Sequence, residues 1–309
     1  HCPYPLAVLG PALTTTLRAT LFMVMAAGTM GLTQVFLRWA YTGEKGVVFQ
    51  LSLFVYGITF VALFLLRSRV QGAKVFRLPA GSAGALLVFG VTDALATFFL
   101  FIGSLALPLA VNSVVSDLHV LITPLLLGLL RIERVTRREY VAIFVGMVGA
   151  AMLTGVTSAS ARSEGLTTAL LLPIGAAVLW CFSTLAARKL AAVPKSFPQM
   201  TVAFFGVLVA AGGLAFLDAP AWPATGRVDF FLVAVLWAIC SQVFFVFSMT
   251  SGSVVSALAG IPAYAFFGAL FGYGFFGETL DWIQLFGILA ILVGLFLFGS
   301  RGLFKAQLK

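Results

Sequence analysis

Charge is what this chain has least of. Only 9% of its residues are Asp, Glu, Lys or Arg, against 61% that are hydrophobic. A water-soluble domain of 309 residues cannot cover its surface with so few charges, which excludes a soluble enzyme or binding module. Histidine is almost missing, with two copies of which one is His1. Cys2, Cys181 and Cys240 have neither metal-ligand nor redox spacing, and two of them sit inside apolar runs. No His-Glu-x-x-His pattern, no Gly-x-Ser-x-Gly nucleophile with a placed histidine and no phosphate-cradling glycine loop is found. An intramembrane enzyme is therefore the weaker alternative, and no catalytic residue, metal or cofactor is expected. The first sixteen residues contain Pro3, Pro5 and Pro11 and no basic start, so they lack a cleavable signal pattern. They are expected to form a short cytoplasmic leader that does not span.

What the chain does have is apolar runs, and its mean hydropathy is +1.10. Stretches of about 20 apolar residues recur almost without pause, the mark of a polytopic helical membrane protein. Ten spans are predicted, at 18–40, 47–66, 82–105, 107–130, 138–155, 166–187, 198–217, 229–250, 253–277 and 281–299. Fifteen of the nineteen basic residues lie at the start of the first span, in or at the edge of the even-numbered connections, or in the tail. Only Arg38, Lys45, Arg162 and Arg227 fall towards the opposite side. The positive-inside rule then places both termini in the cytoplasm. The net charge of +9 is accounted for by topology, and no basic patch interleaved with aromatics offers a nucleic-acid groove.

The two halves repeat. Glu133 and Glu278 are 145 positions apart, and the same offset carries Gly149 onto Gly294 and Ala142 onto Gly287. Ser113-Val114-Val115-Ser116 recurs as Ser253-Val254-Val255-Ser256. Each half holds five spans, an odd number, so the second half enters the membrane upside down relative to the first. The expected fold is all-α and integral to the membrane, ten helices in a five-plus-five inverted repeat around a central cavity. Its parts are the leader 1–16, the repeats 17–156 and 165–300, and a basic cytoplasmic tail 301–309. Inverted repeats are the architecture of secondary transporters, with the substrate site near the midplane.

With Glu133, Thr136 and Gly149 in the first half, and Glu278, Asp281, Gly287 and Gly294 in the second, the chain resembles the EamA type of the drug/metabolite transporter superfamily. The resemblance implies a basket in which helices 1, 3, 4, 6, 8 and 9 surround the cavity while 5 and 10 support it. It also implies export of a small metabolite, such as an amino acid, across the inner membrane without ATP. The expected partners are the lipid bilayer, a small-molecule substrate and protons as the candidate coupling ion, with the protein a monomer or homodimer. A passive channel or facilitator is the other reading of the same fold.

The candidate site begins with the span 107–130. Asn112, Ser116, His119 and Thr123 lie within about 60° of one another on a helix, flanked by Ser113 and Asp117. A carboxylate at the centre of a membrane helix costs roughly 2.5–3.5 kcal/mol, so this face should look into a cavity. Asp93 lies fourteen positions before Leu107 and Asp117 ten after, which puts both at similar depth if the chain turns there. They are the proton-handling candidates, with His119 as a third, although Asp117 and His119 stand about 200° apart on a regular helix. Gln34, Trp180, Trp237, Ser241 and Tyr264 are the expected opposing wall, and aromatic rings there suit a flat or cationic ligand. Pro124 and Pro262 are the candidate hinges for gating. Arg38 reads as an interfacial anchor. Glu133 and Glu278 read as caps of the helices that follow them.

Overall fold

A computed structural model describes residues 11–41, 43, 46–71, 81–119, 122–123, 126, 129, 137–153, 164–190, 193–194, 196–222, 227–251 and 262–299. Among these residues every regular element is an α-helix. In chain order they are α1 (Pro11–Ala40), α2 (Val47–Gln71), α3 (Ala83–Ala106), α4 (Leu109–Asp117) and α5 (Arg137–Leu153). There follow α6 (Glu164–Lys189), α7 (Ser196–Phe216), α8 (Val228–Ser251), α9 (Pro262–Phe276) and α10 (Trp282–Gly299). Six of them, α1, α2, α3, α6, α7 and α8, are long and apolar enough to cross a bilayer. Pro124, Glu133, Thr136, Ser253–Ser256 and the tail lie outside the described residues.

Local chemistry sets the boundaries that matter most. Proline disfavours the α-region for its predecessor, and Leu107, before Pro108, is extended at φ −121°, ψ 156° and ends α3. Pro108 then stands at the cap of α4. The expected continuous helix over 107–130 is not what forms. Regular α-bonding stops at Asp117, and Leu118 donates to Val115 C=O at 3.3 Å, one residue short of the α pattern. Bonding resumes with Ile122 N–H on Leu118 C=O at 2.9 Å. The break thus falls between Asp117 and His119. At the chain's start, α1 begins at Pro11, inside the stretch expected to be leader. Proline is tolerated in a first turn because its missing N–H would be unpaired there anyway.

The contacts between the two halves follow a pattern that survives their exchange. α1 lies along α8, as α3 lies along α6; α1 meets α9, as α6 meets α4; α3 meets α7, as α8 meets α2. The pairs α2–α7, α4–α9 and α5–α10 map onto themselves. Leu66, Phe144, Leu171, Leu236 and Phe286 point outward and are more than half exposed. In water such a surface would associate; around long apolar helices it is the lipid face. Inside, hydroxyls bond carbonyls of their own helices, as Thr33 does to Thr29 C=O at 2.9 Å and Thr201 to Phe197 C=O at 2.9 Å.

Glu278 does not cap α10 as expected. Asp281 does: Gln284 N–H donates to its Oδ1 at 2.7 Å, and Asp281 N–H donates to Gln284 Oε1 at 3.1 Å. This reciprocal pair is a capping box with aspartate and glutamine in the two roles. Asp281→Ala is expected to lower stability by about 1 kcal/mol, checked by thermal unfolding in detergent. Glu278 is turned away from α10 by Gly277. That glycine, at φ +63°, closes α9 with its N–H on Tyr273 C=O at 3.1 Å. The turn folds the Glu278 side chain back beside Gly272, where a Cβ would collide with the carboxylate.

Candidate functional site

A cavity of about 190 Å³ lies between the helices. Its wall takes Met23 and Met30 from α1, Asp93 and Thr97 from α3, and Ser113, Ser116 and Asp117 from α4. Opposite stand Trp180, Ser183 and Thr184 of α6, Ser241 and Gln242 of α8, and Tyr264 of α9. His119 joins them from beyond the break. At one end the cavity reaches the α6–α7 turn, at Leu190, Pro198 and Gln199. It is smaller than the roughly 300–1,000 Å³ of drug-sized sites, so it suits a small metabolite.

The broken helix explains how Asp117 and His119 come to share one wall. A regular helix would send them to opposite sides; the tightened turn at Leu118 re-aims the chain between them. His119 Nδ1 is 3.0 Å from Ser116 C=O, so this nitrogen carries the proton and donates. Nε2 is then an acceptor in the neutral ring. The imidazole lies against Trp180, with ring centroids 5.2 Å apart and planes at 49°. Asp93 is held by Ser183 Oγ, which donates to its Oδ1 at 3.1 Å, with the Trp180 indole as a second neighbour. Asp117 is treated differently. It is 5% exposed, and its buried Oδ2 has no hydrogen-bond partner. Tyr264 lies within electrostatic reach of both carboxylates.

Of the residues singled out from sequence, Asp93, Ser116, Asp117, His119, Trp180, Ser241 and Tyr264 line this cavity, whereas Asn112, Gln34 and Trp237 do not. Asn112 faces α3 instead, donating from Nδ2 to Leu100 C=O at 2.9 Å over the bare surface of Gly103. Gln34 is buried in α1. Trp237 is half-buried, one turn before Ser241 and nearer the start of α8. Pro262 is the first described residue of α9. Ser183 was missed. With Trp180, Thr184 and Ala187 it makes a stripe at helical spacing, and that stripe was the available signal.

The other end of the bundle is closed by a network that sequence reasoning split into two unrelated residues. Arg38, near the end of α1, pairs with Glu278 at 2.5 Å. Its Nε donates to Ser104 C=O at 2.5 Å, and its Nη2 to Leu107 C=O. Glu278 Oε2 in turn accepts from Leu109 N–H at 2.9 Å, capping α4. The guanidinium also lies over the Phe276 ring, 4.8 Å from its centroid. One ion pair therefore fastens α1, the α3–α4 turn and the α9–α10 turn. Arg38 is a clasp, not a snorkelling anchor.

Long apolar helices with a lipid-facing surface, enclosing a polar cavity, define a multi-pass membrane protein. Residues 167–300 match the EamA-like transporter family. That match to a family of membrane transporters lies in the second half of the chain and agrees with the resemblance carried by the sequence. No curated protein matches the chain. A solved structure, described only as the crystal structure of a protein, matches at a TM-score of 0.62 and 19% identity. It covers 96% of this chain and 99% of its own, so the likeness in fold extends through the first half as well.

Proposed function

We propose that the protein is a secondary transporter that moves a small amphipathic metabolite through this cavity by alternating access. The observation that carries the reading is the cavity's place between helices whose contacts across the two halves survive their exchange. Such an exchange is what a five-plus-five inverted repeat would give, with α4 and α9 meeting on the pseudo-twofold axis. Asp93, Asp117 and His119 are the groups proposed to bind substrate or a coupling proton, with Ser116, Trp180, Ser241 and Tyr264 completing the wall. If the positive-inside rule holds, the α6–α7 turn faces the cytoplasm and the Arg38–Glu278 clasp faces outward. The cavity then reaches towards the side from which an exporter of the inner membrane would load.

Flux of radiolabelled amino acids, nucleosides and sugars into proteoliposomes, with and without a pH gradient, tests this. Saturable, gradient-dependent flux of one class is expected. Asp117→Asn is expected to lower the gradient-driven component at least about tenfold. Flux that is unsaturable and shows no countertransport would mark a passive channel. Unchanged coupling in the asparagine variant would remove Asp117 from the mechanism.

A further inference from the structure

The transporter reading leaves the ligand's chemistry open, and the hydrogen-bonding inventory of the wall narrows it. Five of the seven hydroxyls lining the cavity, all but those of Ser113 and Tyr264, direct their hydrogens at the protein. Thr97 donates to Asp93 C=O at 3.0 Å, Ser116 to Ser113 C=O at 2.8 Å, and Thr184 to Trp180 C=O at 2.8 Å. Ser183 donates to the Asp93 carboxylate at 3.1 Å, and Ser241 to Ala26 C=O at 3.0 Å. What these groups have left is lone pairs. His119 adds to the same side of the balance, because its Nδ1–H is taken by Ser116 C=O and Nε2 remains as an acceptor. Only Gln199 and Gln242 bring side-chain amides with both donor and acceptor character.

The charges point the same way. Asp93 and Asp117 line the cavity, and among the described lining residues there is no Lys or Arg. The guanidinium of Arg38 is committed to Glu278 and two backbone carbonyls. Asp93 has Ser183 against it, but Asp117 is buried with Oδ2 unpartnered. A buried carboxylate without a partner is expensive, and a ligand that brings N–H donors and positive charge would relieve it. A ligand carboxylate would meet two aspartates and no cation, and a like-charge contact of that kind costs several kcal/mol. Beside His119, on the same cavity wall, stands Trp180, an aromatic ring for a flat or cationic body.

We infer that the cavity takes a small protonated amine on a flat apolar body, a molecule with N–H donors and no carboxylate, with Asp117 as its counter-ion. This rests on the cavity being the transport site, and it narrows the metabolite from amino acids to amines. Quaternary ammonium ions have no N–H and protonated tertiary amines only one, too few to fill the Asp117 and His119 acceptors together. The occupant is therefore a primary or secondary amine.

A charge series on one ring decides the matter: phenethylamine, phenylalanine and phenylpropionate, each tested for equilibrium binding to the purified protein in nanodiscs. The amine is expected to bind saturably, and the zwitterion and the anion at least about tenfold more weakly. Asp117→Asn is expected to weaken the amine by about tenfold or more, and Asp117→Glu to restore part of that loss. Thermal unfolding of each variant verifies that it is folded. Phenylalanine or phenylpropionate binding as tightly as the amine would overturn the inference. So would an amine that binds the asparagine variant as well as the parent, or that shows no saturable binding at all. Flux of another solute without amine binding would leave the transporter reading standing and remove this one. Amine binding without flux of any solute would do the reverse.

Discussion

Glu278→Gln should unfasten the closed end of the bundle. The substitution keeps shape but removes the charge facing Arg38, whose side chain is only 17% exposed. Breaking a buried pair by neutralising one partner costs on the order of 3 kcal/mol, because the other charge stays buried uncompensated. Glu278 also caps α4 through Leu109 N–H, so weakening it loosens the α3–α4 turn. The expected result is a shift of population towards a state open at the Arg38 end. A cysteine in place of Leu100, which lines the cavity, reports the change in a background where Cys2, Cys181 and Cys240 are replaced by serine. With the clasp intact, an impermeant maleimide added from the Arg38 side should react slowly. Glu278→Gln should raise that rate about tenfold or more, which corresponds to roughly 1.4 kcal/mol in the opening equilibrium. Arg38→Met combined with Glu278→Gln should cost less stability than the two changes summed, because no unpaired charge is left behind. Equal labelling rates in the parent and Glu278→Gln would show that the pair holds nothing shut.

What was legible in the sequence, and what was not, follows from the range of the interaction concerned. The long spans could be read because the hydrocarbon core demands about 20 apolar residues per crossing, whatever their neighbours are. The end of α3 was legible to within a residue or two because Pro108 acts on its own predecessor. The break at Leu118 was not legible. No proline or glycine stands there, and the tightened turn lies between the two polar groups that share the cavity wall. Trp180 and Trp237 looked alike in sequence, since each lies well inside a span four positions before a hydroxyl residue. Which of them reaches the cavity is decided by the rotation of α6 and α8 against their neighbours, information held in other helices. Arg38 and Glu278 are 240 positions apart, and each has an ordinary local explanation. Only the crossing of α1 with the α9–α10 turn joins them.

The crossing of α4 and α9, a contact that maps onto itself when the halves are exchanged, is sterically exacting because one of its close approaches is to main chain. Gly268 sits where a Cβ would come within 2.7 Å of Ser113 Oγ and 2.9 Å of the Leu109 carbonyl oxygen. The serine oxygen could rotate away. The carbonyl cannot, because it belongs to the first turn of α4, which Glu278 pins through the Leu109 N–H. Gly268→Ala must therefore push the two helices apart, and overpacking of this kind costs about 1–3 kcal/mol. The expected result is a lower unfolding temperature in detergent, together with a widened cavity wall at Ser113. Ser113→Ala in the same chain should recover only part of the loss, since the backbone contact remains. Gly274 is the internal control. It lies in the same helix with nothing within 4 Å of the place its Cβ would take, so Gly274→Ala should be neutral or slightly stabilising. If Gly268→Ala and Gly274→Ala unfold at the same temperature, the close approach of α4 and α9 is not what holds that side of the cavity. A loss fully reversed by Ser113→Ala would move the constraint from the backbone to the hydroxyl. The partial rescue expected here distinguishes a crossing fixed by main-chain contact from one that side chains could renegotiate. Only the former keeps Ser113, Ser116 and Asp117 in register with the wall formed by α6 and α8.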